Sequence, residues 1–292
     1  MTDCLYGSLG ASLYVPATHK QLDSILREGC HHARSLIICT EDAVAENDVT
    51  WAVHRLLKAL KAAPHDVPHL RFVRPRSPAV LATLLAAPEA MARLDGVVIP
   101  KFDGQTAGEW QAVLDHAPAL AVMPTLETAA MFRDTGADAV LCALQKLHNP
   151  VIALRIGAND LLGTLGIKRQ PGQTVYDTPL RGTLERIVTT FRPAGYELAA
   201  PVCDLIDEPE TLGRELAQDI AWGFYAKTCI HPTQIDVVEA HFTRALSRQQ
   251  DQANALLHAD AAVFRHEGQM LEKTCHGGWA RRVSSLKLKA IS

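Results

Sequence analysis

The sequence predicts an α/β protein: eight parallel strands alternating with helices, closed into a (β/α)8 barrel, the TIM-barrel architecture, with a C-terminal helical extension. Three observations carry this expectation. Eight short apolar runs recur along the chain, each bounded by Pro, Gly or a charge, as strands buried on both faces read. Between several of them the apolar residues fall on one side of a helix. Eight such units occupy about 230 residues, close to the roughly 250 of a typical barrel of this kind.

The elements follow in order. The first run covers 12–16, and a helix with Leu22, Ile25 and Leu26 on one face comes after it. The second, 35–39, precedes a one-faced helix over 51–60, and runs at 70–73 and 96–100 lead to another over 109–114. Runs at 120–123 and 151–157 precede the helical stretch 180–191, and 197–202 and 223–230 complete the eight. Alternation of this kind builds βαβ units and a parallel sheet. From about Glu239 the pattern changes to one or two helices, including an apolar-striped stretch over 250–264, then Gly268, Gly277 and Gly278. The end, 281–292, has four basic residues and no acid, as a solvated tail or packing helix would. The expected division is a barrel over 1–238 and an extension over 239–292.

Composition excludes several functions. Of 292 residues, 48% are hydrophobic and 21% charged, with a formal net charge of −3; this is a folded chain without the basic surplus of a nucleic-acid binder. No apolar run reaches the roughly 18 residues of a membrane span. The first ten residues lack the basic and apolar regions of a signal peptide, and the seven cysteines form no C-x-x-C pair. Reduced thiols in a cytoplasmic protein are therefore expected. Neither a G-x-G-x-x-G nor a G-x-x-x-x-G-K-[ST] motif occurs, which disfavours a dinucleotide fold and a P-loop.

A barrel of this type carries its active site at the C-terminal ends of its strands. There the chain places Glu41 and Asp42, Arg74, Lys101, Glu127, Asp160 and His231. Glu127 and Asp160 each follow an apolar stretch, and two converging carboxylates repel unless a cation lies between them. Two carboxylates, with the other positions left to water and ligand oxygens, describe a Mg²⁺ site; zinc would require His or Cys at spacings this chain lacks. Arg74 offers a planar fork to a substrate carboxylate or carbonyl. Metal and arginine together stabilise negative charge developing on oxygen, as in making or breaking a carbon–carbon bond beside a carbonyl.

These residues stand in stretches that resemble the citrate lyase beta-subunit-like branch of the metal-dependent aldolase and citrate lyase family, a barrel family of carbon–carbon lyases. The stretches are Leu13-Tyr14-Val15-Pro16-Ala17, Glu41-Asp42-Ala43-Val44, Val73-Arg74, Gly96-Val97-Val98-Ile99-Pro100-Lys101, Leu126-Glu127-Thr128-Ala129, Gly157-Ala158-Asn159-Asp160 and Lys227-Thr228-Cys229-Ile230-His231-Pro232-Thr233-Gln234-Ile235. The resemblance implies that Glu127 and Asp160 ligate Mg²⁺ and that Arg74 contacts substrate oxygens. It places Glu41 and Asp42 near the metal and Lys101 in organising the rim, while His231-Pro232 reads as a structural loop start. It also implies a homo-oligomer, a trimer or hexamer, acting on acyl-CoA thioesters such as citryl-, malyl- or citramalyl-CoA.

The chain departs from the family pattern at several places. Cys39-Thr40 stands where Asp-Leu is usual, Asn159 where Glu is usual, and Pro201-Val202-Cys203-Asp204 replaces the common sequence after strand seven. Glu272 occupies the position of a catalytic Asp that family members often supply to a neighbouring subunit. The expected function is thus a Mg²⁺-dependent carbon–carbon lyase with Glu272 as acid/base. The alternatives are an acyl-CoA thioesterase and a barrel that has lost the reaction and serves as a metabolite-binding or interaction subunit.

Overall fold

The computed structural model describes residues 5–286. Eight strands form one sheet: β1 (Gly10–Pro16), β2 (Ser35–Cys39), β3 (Leu70–Arg74), β4 (Gly96–Ile99), β5 (Val122–Leu126), β6 (Leu154–Ile156), β7 (Leu198–Ala199) and β8 (Ala226–Cys229). Every neighbouring pair is parallel, in the order β7-β6-β5-β4-β3-β2-β1-β8. A parallel bridge from Ala200 to Lys227 joins the two edges, so the sheet closes into the expected barrel.

Each strand overlaps one of the eight apolar runs, with β5 lying two to three residues further on than its run at 120–123, and β2 to β6 are buried along their whole length. Helices cover the outside: α1 (Leu22–Glu28), α2 (Val49–Ala62), α3 (Pro78–Leu85), α4 (Pro88–Met91), α5 (Ala107–Leu114), α6 (Asp134–Leu144), α7 (Ala158–Thr164), α8 (Arg181–Phe191) and α9 (Pro209–Ala221). The spacing of α2 explains its docking: Ala52, Val53, Leu56, Ala59 and Leu60 make one buried face. Each Leu buried this way contributes about 1.5–3 kcal/mol. Helix α3 starts where Ser77 accepts from the Val80 N–H, with Pro78 in the first turn. No helix among the described residues is long and apolar enough to cross a membrane, and the six described cysteines are free thiols; Cys4 lies outside the described residues.

Two helices and a hairpin make up the rest: α10 (Ile235–His258), β9 (Val263–His266), β10 (Gln269–Glu272) and α11 (Lys273–Ser285). The antiparallel β9–β10 hairpin was not expected. Helix α10 stops at His258, short of the striped stretch read to 264. Glu267 and Gly268 both have positive φ, 47° and 81°, which suits a two-residue turn whose twist matches the strands. Residues 287–292 of the basic end lie outside the described residues.

One connection is held without regular structure. After β7, the carbonyls of Pro201, Val202 and Cys203 accept from Lys227 Nζ at 2.8 Å, Arg169 Nη2 at 2.9 Å and Gln234 Nε2 at 2.7 Å. Buried carbonyls need such partners, and here three side chains from other parts of the chain supply them. Glu215 and Asp219 on α9 balance the two cations.

Candidate active site

The C-terminal ends of β2 to β6 bring six of the sequence-predicted residues together. Arg74, the last residue of β3, stands at the centre. Its Nη2 meets Glu41 Oε2 at 2.7 Å, Glu127 Oε1 at 2.9 Å and Asp42 Oδ2 at 3.6 Å. The loop carrying Glu41 is fixed from behind by Arg76 Nη1, which donates to the Glu41 and Val44 carbonyls. Lys101 follows β4 with φ at +49°, a conformation non-glycine residues seldom adopt. That turn points its N–H at Glu127 Oε1, 2.7 Å away, while its Nζ bonds Glu41 and Asp42.

Glu127 follows β5 and is 3% exposed. One carboxylate oxygen is satisfied twice; the other, Oε2, is buried without a hydrogen-bond partner. Gly157, at the end of β6, makes room for it, since a methyl group there would overlap Oε2 and the Glu127 Cβ. Asp160, half-buried in the first turn of α7, is the carboxylate on this side. Burial raises the Glu127 carboxyl to about 7 against the pull of Arg74, and Asp160 adds to the rise. Burial, then the neighbouring Asp42, raises Asp160 as well. Burial also raises Glu41, whereas at Asp42 burial is outweighed by Glu41, Lys101 and Arg74, which together hold it below its usual value. Arg74 keeps its charge more firmly than usual: burial opposes it, but the oxygens of Tyr14, Glu127 and Glu41 favour it.

An orphaned buried carboxylate oxygen with a second carboxylate nearby fits a hard divalent cation. Among the described residues no group of three or more His, Cys, Asp or Glu side chains is arranged to hold a metal ion. Two protein carboxylates suit Mg²⁺, which keeps several waters and binds substrate oxygens in its remaining positions. Beside this rim an open groove of about 850 Å³ runs past Asp103, Gln105, Thr128 and Arg133, within the size range of small-molecule sites.

Two predicted positions stand apart from the cluster. His231 engages its own turn, with Nδ1 on Thr233 and Gln234 closing a capping box. Glu272 pairs with Val263 in the hairpin. Helix α11 then leads back along α10 until Arg282 reaches Glu197 and the Gly223 carbonyl, just before β7 and β8. That is the N-terminal end of the barrel, so within one chain Glu272 lies on the side away from Glu127. The sequence reading also passed over Tyr14 and Arg155, whose side chains occupy the barrel interior below Arg74. The available signal was a charge inside an apolar strand, Leu154-Arg155-Ile156.

Comparison with known proteins agrees with this architecture. A citrate lyase subunit beta-like protein of Deinococcus radiodurans is 28% identical over 284 residues, covering 91% of this chain and 93% of that protein. A (3S)-malyl-CoA thioesterase of Cereibacter sphaeroides is 27% identical over 234 residues, 79% of this chain and 76% of the relative. Among solved structures, CitE from Mycobacterium tuberculosis in complex with magnesium, acetoacetate and coenzyme A superposes with a TM-score of 0.66. It is 25% identical and the match covers 96% of this chain and 97% of CitE. The citrate lyase beta subunit from the same organism, complexed with oxaloacetate and magnesium, gives a TM-score of 0.60 at 26% identity, over 81% and 98% of the two chains. The profile of the C-C bond lyases of the TIM-barrel fold matches residues 3–287, and the chain belongs to that family.

Proposed function

We propose that this protein is a Mg²⁺-dependent carbon–carbon lyase that cleaves a 3-hydroxyacyl thioester, of the citryl-, malyl- or citramalyl-CoA kind, or a related hydroxy or keto acid. The buried, unpartnered Oε2 of Glu127 beside Asp160 carries this reading. Glu127 and Asp160 would hold the ion. Bound there, Mg²⁺ supplies a Lewis acid that orients substrate oxygens and spreads the negative charge developing on them.

The chain's own groups divide the remaining work. Arg74, anchored through Nη2, has a buried Nε without a partner and neutralises charge on the substrate's carbonyl side. Lys101 holds Glu127 through its N–H and Glu41 through its Nζ, so neither carboxylate swings away when the substrate enters. Cleavage takes the proton from the substrate hydroxyl as the adjacent carbon–carbon bond breaks and its electron pair moves toward the thioester carbonyl. Glu272 of a second copy is the proposed base, which makes the working form a homo-oligomer, a trimer or hexamer. The coenzyme A bound by the Mycobacterium relative and the groove beside Arg133 support an elongated thioester substrate.

The malyl-CoA thioesterase relatives favour hydrolysis as a second reading. Titration calorimetry with Mg²⁺ tests the metal. The wild type is expected to bind the ion and Glu127→Gln to bind it at least about 100-fold more weakly with an unchanged circular dichroism spectrum. A Glu127→Gln protein that keeps wild-type affinity overturns the assignment. Incubation with each thioester then separates the reactions: a lyase releases acetyl-CoA and a 2-oxo acid, a thioesterase free coenzyme A and a hydroxy acid.

A further inference from the structure

Arg155 is 1% exposed in the middle of β6, and no carboxylate lies within ion-pair distance of it among the described residues. Its fork meets only neutral acceptors, Thr228 Oγ1 at 2.6 Å, Ser12 Oγ at 3.4 Å and Met123 Sδ at 3.9 Å, and its Nε has no partner. The other buried cations are provided for. Arg34, Arg74, Arg169 and Lys227 each meet a carboxylate, and Arg71 ends on two main-chain carbonyls. An unpaired buried guanidinium is costly, and an apolar side chain of similar volume would fill the same space at lower free energy.

Directly above it lies Tyr14. Its ring is 5.5 Å from the Arg155 guanidinium and 6.0 Å from that of Arg74, so it touches both cations. Tyr14 is half-buried, and its hydroxyl makes no hydrogen bond among the described residues.

We propose that Tyr14 and Arg155 set the substrate specificity of this site by selecting an acid with a second carboxylate. The Tyr14 hydroxyl donates to that carboxylate at the barrel mouth, and the Arg155 guanidinium beneath the ring offsets its charge without touching it. Tyr14 is thus a substrate-binding residue and Arg155 a positioning residue that acts through it. The inference rests on the lyase reading for the location of the substrate.

Oxaloacetate and 2-oxobutyrate share a 2-oxo acid head and differ at the far end by a carboxylate against a methyl group. Their affinities, measured by calorimetry with Mg²⁺ for wild type, Arg155→Met and Tyr14→Phe, test the proposal. The wild type is expected to prefer oxaloacetate, and both variants to lose about tenfold or more of that preference, the order expected for a hydrogen bond to a charged group. Arg155→Met is also expected to melt at a higher temperature than wild type, because an unpaired buried charge is gone. Unchanged preference in both variants overturns the proposal, as does an Arg155→Met protein that melts lower and keeps its preference. If Arg155→Met does not fold, Tyr14→Phe decides alone. A Mg²⁺ titration without acid keeps the two readings apart: failure to bind metal removes the lyase assignment, whereas a wild type that binds metal without preferring oxaloacetate removes only this one.

Discussion

At the scale of single residues, the site depends on two backbone positions as much as on its charges. Lys101 in a left-handed conformation brings an N–H to Glu127 that an extended residue would direct elsewhere. Gly157 leaves Oε2 of the same carboxylate the space it occupies. Gly157→Ala is therefore expected to displace Glu127 and to weaken Mg²⁺ binding by about tenfold or more, with a stability loss of about 1–3 kcal/mol typical of overpacking. Calorimetry and thermal melting of the same sample check both. Wild-type metal affinity in Gly157→Ala would mean that the Glu127 side chain relaxes freely and that the glycine has no part in the site.

At the scale of elements, one carboxylate, Glu197, takes part in holding α11 on the N-terminal end of the barrel. Glu197 accepts from Arg282 Nε and Nη2, both at 2.7 Å, and pairs with Arg192. Burial works to raise its carboxyl, but the bonds from Arg282 and Arg192 prevail and hold it below the usual range. A carboxyl depressed in the folded state adds stability that is present above its unfolded value, roughly 4.3, and is lost as pH falls through the folded value. Wild type should accordingly lose stability below about pH 4. Glu197→Gln should be less stable at pH 7 and show a shallower acid limb in denaturant melts across pH 3–7. An unchanged acid limb would place the acid sensitivity in other carboxylates.

For the whole molecule, the proposed role of Glu272 requires a second copy of the chain. In one chain the hairpin carries Glu272 beyond the N-terminal end of the barrel, while Glu127 opens at the other end. α10, 24 residues and about 36 Å long, carries the extension clear of the barrel. The hairpin exposes Val263 and Met270 at 52% and 59%, an apolar pair suited to burial against another copy. Co-expressed Glu127→Gln and Glu272→Gln chains, each inactive alone, should regain activity: in a cyclic assembly random mixing leaves about one site in four with both groups intact. Activity that does not return on mixing would remove Glu272 from the reaction.

Much of this protein was legible before folding. A strand buried on both faces has to be apolar throughout, so eight such runs marked the eight strands, and one-faced helices between them implied parallel connections. Charges at strand ends identified the rim, and a second carboxylate beside Glu127 pointed to a cation. The hairpin escaped notice because the stripe over 250–264 continues helical periodicity past His258, and the turn depends on two positive φ values. Tertiary structure alone decided which charges meet. Arg74 and Glu127 are 53 residues apart, and Arg155 and Ser12 are 143 apart; only closure of the barrel brings them within reach. Periodicity reports how deeply a residue is buried, not what faces it across the barrel, so Glu127 with one oxygen unpaired and Arg155 with no counter-charge became visible only in three dimensions.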